Sequence, residues 1–171
     1  MPGALRRALV PALAAFLLAV TPARAGFPDG LAAYDAGDYY AAYLAWLPLA
    51  KAGDGDAQSA IADLYLSELL VQPAGANERR RIRNTAAWWY RQAARCGHVV
   101  GQLNLGELYL HGIGVERDPV QAWLWLGLAA KAGNAWAAGL RDRISGTMKR
   151  PQRAAAEARL LAWSPAADCA D

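Results

Sequence analysis

Three stretches of this chain carry one pattern and end in glycine: Ala42 to Gly53 (AYLAWLPLAKAG), Ala86 to Gly97 (AAWWYRQAARCG) and Ala122 to Gly133 (AWLWLGLAAKAG). The terminal glycines are 44 and 36 residues apart, so the second interval is a plain period and the first carries eight extra residues. Repeats of this length are single supersecondary units that bury their apolar face only against a neighbour, which makes the whole fold a stack. A second apolar pattern of helical spacing follows each of the first two glycines: Ala57, Ala60, Ile61, Leu64 and Tyr65, then Gly101, Asn104, Leu105, Leu108 and Tyr109. The unit is therefore a helix pair.

The punctuation agrees. Gly53, Gly97 and Gly133 stand where a helix ends in a left-handed residue, and Asp38, Asn84, Asp118 and Asn134 stand as N-caps. Asp118-Pro119 joins a cap to proline at the first helical position. Ala62 and Gly106 share one repeat position, small enough for two helices to approach closely. A last helix from about Pro151 to Trp163 caps the stack, and the tail from Ser164 to Asp171 is expected to be mobile.

Residues 1–25 have the form of a secretory leader: Arg6 and Arg7, an apolar run from Ala8 to Val20, then Ala23-Arg24-Ala25. The run is shorter than the ~20 residues that span a bilayer, so cleavage after Ala25 is expected, with a chain from Gly26 in the periplasm or outside the cell. No Asn-x-Ser/Thr acceptor occurs at Asn77, Asn84, Asn104 or Asn134, which favours a bacterial source. Cleavage also changes the charge. Of 18 basic residues three leave with the leader, and the remaining 15 balance 15 acidic ones. The basic excess that would point to nucleic acid or an anionic membrane goes with it. Neither nucleic acid nor membrane insertion after cleavage is expected. Two cysteines, Cys96 and Cys169, either form one bridge or stay as thiols.

The run Leu105-Gly106-Glu107-Leu108-Tyr109, Gly112-Ile113-Gly114-Val115, Asp118, Ala122, Trp125, Ala129-Ala130 and Gly133 resembles the Sel-one-like repeat (SLR), a relative of the tetratricopeptide repeat. Residues 29–65, with Gly37-Asp38-Tyr39, Trp46, Pro48-Leu49-Ala50 and Ala57-Gln58, resemble the first unit of exported members. Two departures stand out: Ser67 to Arg83 replaces the Gly-x-Gly-Val loop of the first unit, and Arg141-Asp142 replaces Leu-Gly in the last. The resemblance implies an all-α, right-handed solenoid of about three helix-turn-helix repeats with a C-terminal capping helix, spanning 26–163. It also implies a scaffold in envelope assembly, signalling or stress response, with the first helices lining a concave binding side.

No catalytic constellation stands out. Ser59, Ser67, Ser145 and Ser164 lie in neither Gly-x-Ser-x-Gly nor Ser-x-x-Lys, and there is no Cys-x-x-Cys, His-Glu-x-x-His or phosphate loop. Glu107 and His111 share a helix face, but two ligands fall short of a zinc site. His98 has no partner in sequence. Arg79, Arg80, Arg81 and Arg83 form a charge run that reads as a solvated loop or helix start, or as an anion site. No catalytic residue, metal or cofactor is assigned.

Helical phase then separates core from surface. Counted back from the terminal glycine of the second unit, Ala86, Trp89, Tyr90 and Ala93 share the core face, and Trp88, Arg91, Gln92 and Arg95 the opposite one. The corresponding outward sets are Leu44, Leu47, Pro48 and Lys51, then Leu124, Gly127, Leu128 and Lys131. Stacking aligns an apolar row (Leu44, Trp88, Leu124) beside a basic row (Lys51, Arg95, Lys131). Either these rows bind something or another part of the chain covers them, the capping helix being the rival cover for Leu124 and Leu128. The reading is a monomeric, non-enzymatic adaptor with a protein or peptide partner on Leu44, Lys51, Trp88, Arg91, Gln92, Arg95, Leu124, Leu128 and Lys131. The alternatives are an envelope hydrolase acting on cell-wall material and a constitutive structural subunit of a larger complex.

Overall fold

The computed structural model describes residues 26–73, 75–167 and 169, and the leader expected at 1–25 lies outside them. The described residues form eight α-helices and no strand: α1 (Phe27–Asp35), α2 (Tyr39–Lys51), α3 (Gly55–Leu66), α4 (Ala76–Arg95), α5 (Val99–His111), α6 (Pro119–Lys131), α7 (Ala135–Ser145) and α8 (Arg150–Ala162). Short turns join most of them, which sets consecutive helices side by side. Each of the first six packs on the next, α3 on α4 and α5 on α6 most extensively, whereas α8 returns to pack on α6. The result is a helical solenoid with one core cluster running from α2 to α5 and a second from α6 to α8.

Local chemistry sets these boundaries. Asp38 accepts a hydrogen bond from the Ala41 N–H at 2.9 Å, Asp118 from Val120 at 2.8 Å and Gln121 at 3.1 Å, and Asn134 from Ala137 at 2.9 Å. Each satisfies donors that a helix start leaves unpaired. Gly53, Gly97 and Gly133 hold φ of +98°, +88° and +97°, the left-handed turn in which a side chain is strained. The core face of α4 falls where the period put it, with Ala86, Trp89, Tyr90 and Ala93 buried.

Two boundaries differ from expectation. Asn84 is not a cap: α4 begins two turns earlier, at Ala76, and runs through the arginine run. The eight extra residues thus go partly into lengthening this helix. The nine-residue α1 precedes the first of the three repeated stretches and is held by Trp46. The Trp46 indole N–H donates to the Phe27 carbonyl at 3.0 Å, its ring stacks on Phe27, and a Cβ at Gly30 would overlap the indole. The segment after α8 is held at two described points. The Ala166 N–H donates to the Arg95 carbonyl at 2.9 Å, and Cys169 is disulfide-bonded to Cys96, so the pairing left open by the sequence is made.

Candidate functional site

The C-terminal halves of α2 and α4 enclose an open groove of about 310 Å³. Lys51 and Arg95 stand on its walls in the last turns of their helices, where a cation also suits the helix dipole. Trp88 is 48% exposed, while Trp89 beside it is 8% exposed, and the two indoles meet edge-on with centroids 4.6 Å apart. Gln92 accepts a hydrogen bond from the Arg95 guanidinium at 3.4 Å. Gln58, on the groove wall and 5% exposed, donates its amide N–H to the Ala50 carbonyl at 2.9 Å, and its Oε1 is buried without a hydrogen-bond partner. The described lining thus combines Lys51, Arg95, the exposed Trp88 indole and the Cys96–Cys169 disulfide, which brings the tail to this groove.

The next groove along the stack is built from equivalent positions. Gly97, Gln102, Leu128 and Lys131 replace Gly53, Gln58, Gln92 and Arg95, and Gln102 donates to the Ala94 carbonyl at 3.3 Å as Gln58 does to Ala50. Here the far side is closed by the chain itself, through Leu160, Leu161, Trp163 and Pro165.

Of the nine residues expected to meet a partner, the first groove brings together Lys51, Trp88, Gln92 and Arg95. Leu44 is exposed but is not part of this lining. Arg91 turns aside, donating to the Tyr109 hydroxyl at 3.2 Å. Leu124 and Leu128 are corrected: both are 6% exposed, because α8 packs across α6, and the rival cover is the one realised. Lys131 lines the second groove with Leu128. The sequence reading missed Gln58 and Gln102, although a glutamine five residues after each of two repeat glycines was the available signal.

His98 does have partners. Its Nδ1 accepts from the Gly101 N–H at 3.2 Å, capping α5, and lies 3.2 Å from the Ser59 hydroxyl, while Nε2 is 2.9 Å from Asp56 Oδ1. A serine, histidine and aspartate in line have the composition of a hydrolase triad. The capping bond makes Nδ1 an acceptor already in use, and Ser59 is 4% exposed. The arrangement ties α3 to α5 across the repeat boundary, and Gly55 leaves the room that the imidazole fills. Among the described residues no group of three or more His, Cys, Asp or Glu could hold a metal, and no helix is long and apolar enough to cross a membrane.

The Sel1 repeat family model matches residues 76–98 and 99–134, which are α4 with its turn and then α5, the loop and α6. The chain thus carries two Sel1 repeats. Its solenoid is similar to the crystal structure of c5321, a protective antigen present in uropathogenic Escherichia coli strains displaying an SLR fold, at a TM-score of 0.71 and 26% identity over 80% of this chain. The chain spans only 28% of that longer chain. No curated protein matches it. Repeats of this kind in general mediate protein–protein interaction.

Proposed function

We propose that this protein is a non-enzymatic, monomeric adaptor of the bacterial cell envelope that holds a protein or peptide partner in the groove between α2 and α4. The observation that carries the reading is the pair of adjacent tryptophans: one is core, and the other presents half of a large apolar surface beside Lys51 and Arg95. Tryptophan and arginine are the residues that most often carry interface energy, and an indole left in water gains by being covered. The leader-like residues 1–25 and the Cys96–Cys169 bond support an oxidising, extracytoplasmic location. Nothing in this function calls for a cofactor, nucleic acid or membrane insertion.

The Ser59–His98–Asp56 line is what favours the second reading, a hydrolase acting on cell-wall material. The burial of Ser59 argues against it, since a nucleophile must reach its substrate. A constitutive structural subunit would use the same groove with a partner that never exchanges.

Site-specific photocrosslinking in cells tests the proposal. A photoreactive residue at position 88 is expected to give discrete adducts that are absent with the probe at Val100 or Leu161, which are also exposed. No adduct at 88, or the same adducts from all three positions, would overturn it.

A further inference from the structure

Alternate helices of the stack meet at one place and stand apart at another. At the N-cap of α5, His98 reaches Asp56 and Ser59 of α3 and fills the room left at Gly55. One pair earlier, α1 and α3 leave between them a cleft of about 310 Å³. Phe27, Leu31 and Tyr34 share one face of α1 at helical spacing, and Asp63 and Ser67 stand one helical turn apart at the end of α3. Trp46 of α2 completes the lining.

The two walls are unlike. On the α1 side, Leu31 and Tyr34 are 46% and 36% exposed, and the Phe27 and Tyr34 rings lie 5.5 Å and 6.1 Å from the buried Trp46 indole, centroid to centroid. Opposite these rings stands a carboxylate. Asp63 accepts the Tyr90 hydroxyl on Oδ1, which leaves Oδ2 for another donor, and no cation among the described residues pairs with it. Burial disfavours its charge and raises its carboxyl, a cost that a cation beside it would offset.

This combination narrows the ligand. A metal ion needs more donors than one carboxylate, and among the described residues no acidic or His cluster supplies them. A neutral apolar molecule would cover Leu31 and Tyr34 but leave Asp63 without a counter-charge. An ammonium group on an apolar body satisfies both walls, because its N–H groups meet the carboxylate and ring faces attract its positive charge.

We infer that the α1–α3 cleft binds an organic ammonium ion, with Asp63 and Ser67 on the nitrogen and Phe27, Leu31 and Tyr34 around a short apolar body. The cleft shares no lining residue with the α2–α4 groove, so the inference stands apart from the adaptor reading. A free amine and a lysine side chain carry the same chemistry.

The probe is hexylammonium, titrated into the oxidised chain from Gly26 and followed by amide chemical-shift changes, with hexanol and hexanoate in parallel. Saturable binding is expected for the ammonium, with shifts at Leu31, Asp63 and Ser67. Hexanol should bind at least about tenfold more weakly, and hexanoate not at all. Asp63→Asn keeps an acceptor for Tyr90, so it should cost at least about tenfold in affinity for hexylammonium while leaving hexanol unaffected. Leu31→Ser, at an exposed position, should weaken both. N-acetyl-lysine methylamide separates the sources: binding tighter than hexylammonium assigns a lysine side chain, weaker binding a free amine, and either supports the site. Absence of saturable binding, equal affinity for hexanol, indifference to Asp63→Asn, or shifts confined to the α2–α4 groove would each overturn the inference. If Asp63→Asn fails to fold, the ratio of ammonium to hexanol affinity on the unaltered chain still decides.

Discussion

Tyr90 donates its phenolic hydroxyl to the Asp63 carboxylate, joining α4 to α3. Burial raises both groups above their ordinary values: for Asp63 the Tyr90 hydrogen bond opposes the rise, and for Tyr90 the Asp63 charge adds to it. A carboxyl raised on folding binds its proton more tightly in the folded state. The stability it contributes is therefore present in acid, below the ordinary 3.8, and is lost as pH climbs through the raised value.

Asp63→Asn keeps an acceptor for Tyr90 and removes the charge, so urea unfolding at neutral pH should show stability unchanged or higher, with a flatter profile towards acid. Asp63→Ala leaves the buried Tyr90 hydroxyl without this acceptor and should cost about 1–3 kcal/mol. Equal losses in the two variants would contradict this account of the pair.

His98 caps α5 and reaches both Asp56 and Ser59. Replacing it with alanine removes the cap and the link between repeats together, and about 1–2 kcal/mol should be lost in thermal or urea unfolding. Ser59→Ala should cost less than His98→Ala, since the cap and the Asp56 contact survive. Neither change should alter crosslinking from position 88; loss of crosslinking in a folded Ser59→Ala protein would give that serine a role beyond joining helices.

The disulfide closes a loop over a separation of 73 residues. Chain-entropy arguments put its effect on the unfolded state at about 4 kcal/mol. Cys169→Ser should lower the melting temperature accordingly while leaving helical content nearly unchanged, because α8 packs on α6 independently of the bond. Circular dichroism with thermal unfolding reads both quantities.

What was legible in the sequence follows from range. The period, the caps at Asp38, Asp118 and Asn134, the glycine turns and the buried face of α4 are set by neighbours a few residues apart, and helical spacing exposes them directly. Asn84 looked like a cap because its local preference favours one, yet the helix continues through it. The short α1 exists through its contact with Trp46, and Leu124 and Leu128 are covered by a helix some thirty residues further on. The His98 partners lie 39 and 42 residues away. Pairings of that reach leave no periodic trace. In the candidate site, the same phase argument placed Trp88 outward and Trp89 inward, but it could not show which outward residues the tail and α8 would claim.

The adjacent tryptophans give the most direct test of the central claim. Trp89→Ala empties a core position and should destabilise the fold by about 3–5 kcal/mol. Trp88→Ala loses little more than an edge contact, at most about 1.5 kcal/mol, but should weaken partner binding by about 2 kcal/mol, roughly thirtyfold. Melting temperature and partner retention, measured on both variants side by side, should therefore move in opposite senses. A Trp88→Ala protein that unfolds as badly as Trp89→Ala, or that stays folded and keeps its partner in full, would contradict the assignment of the α2–α4 groove as the binding site.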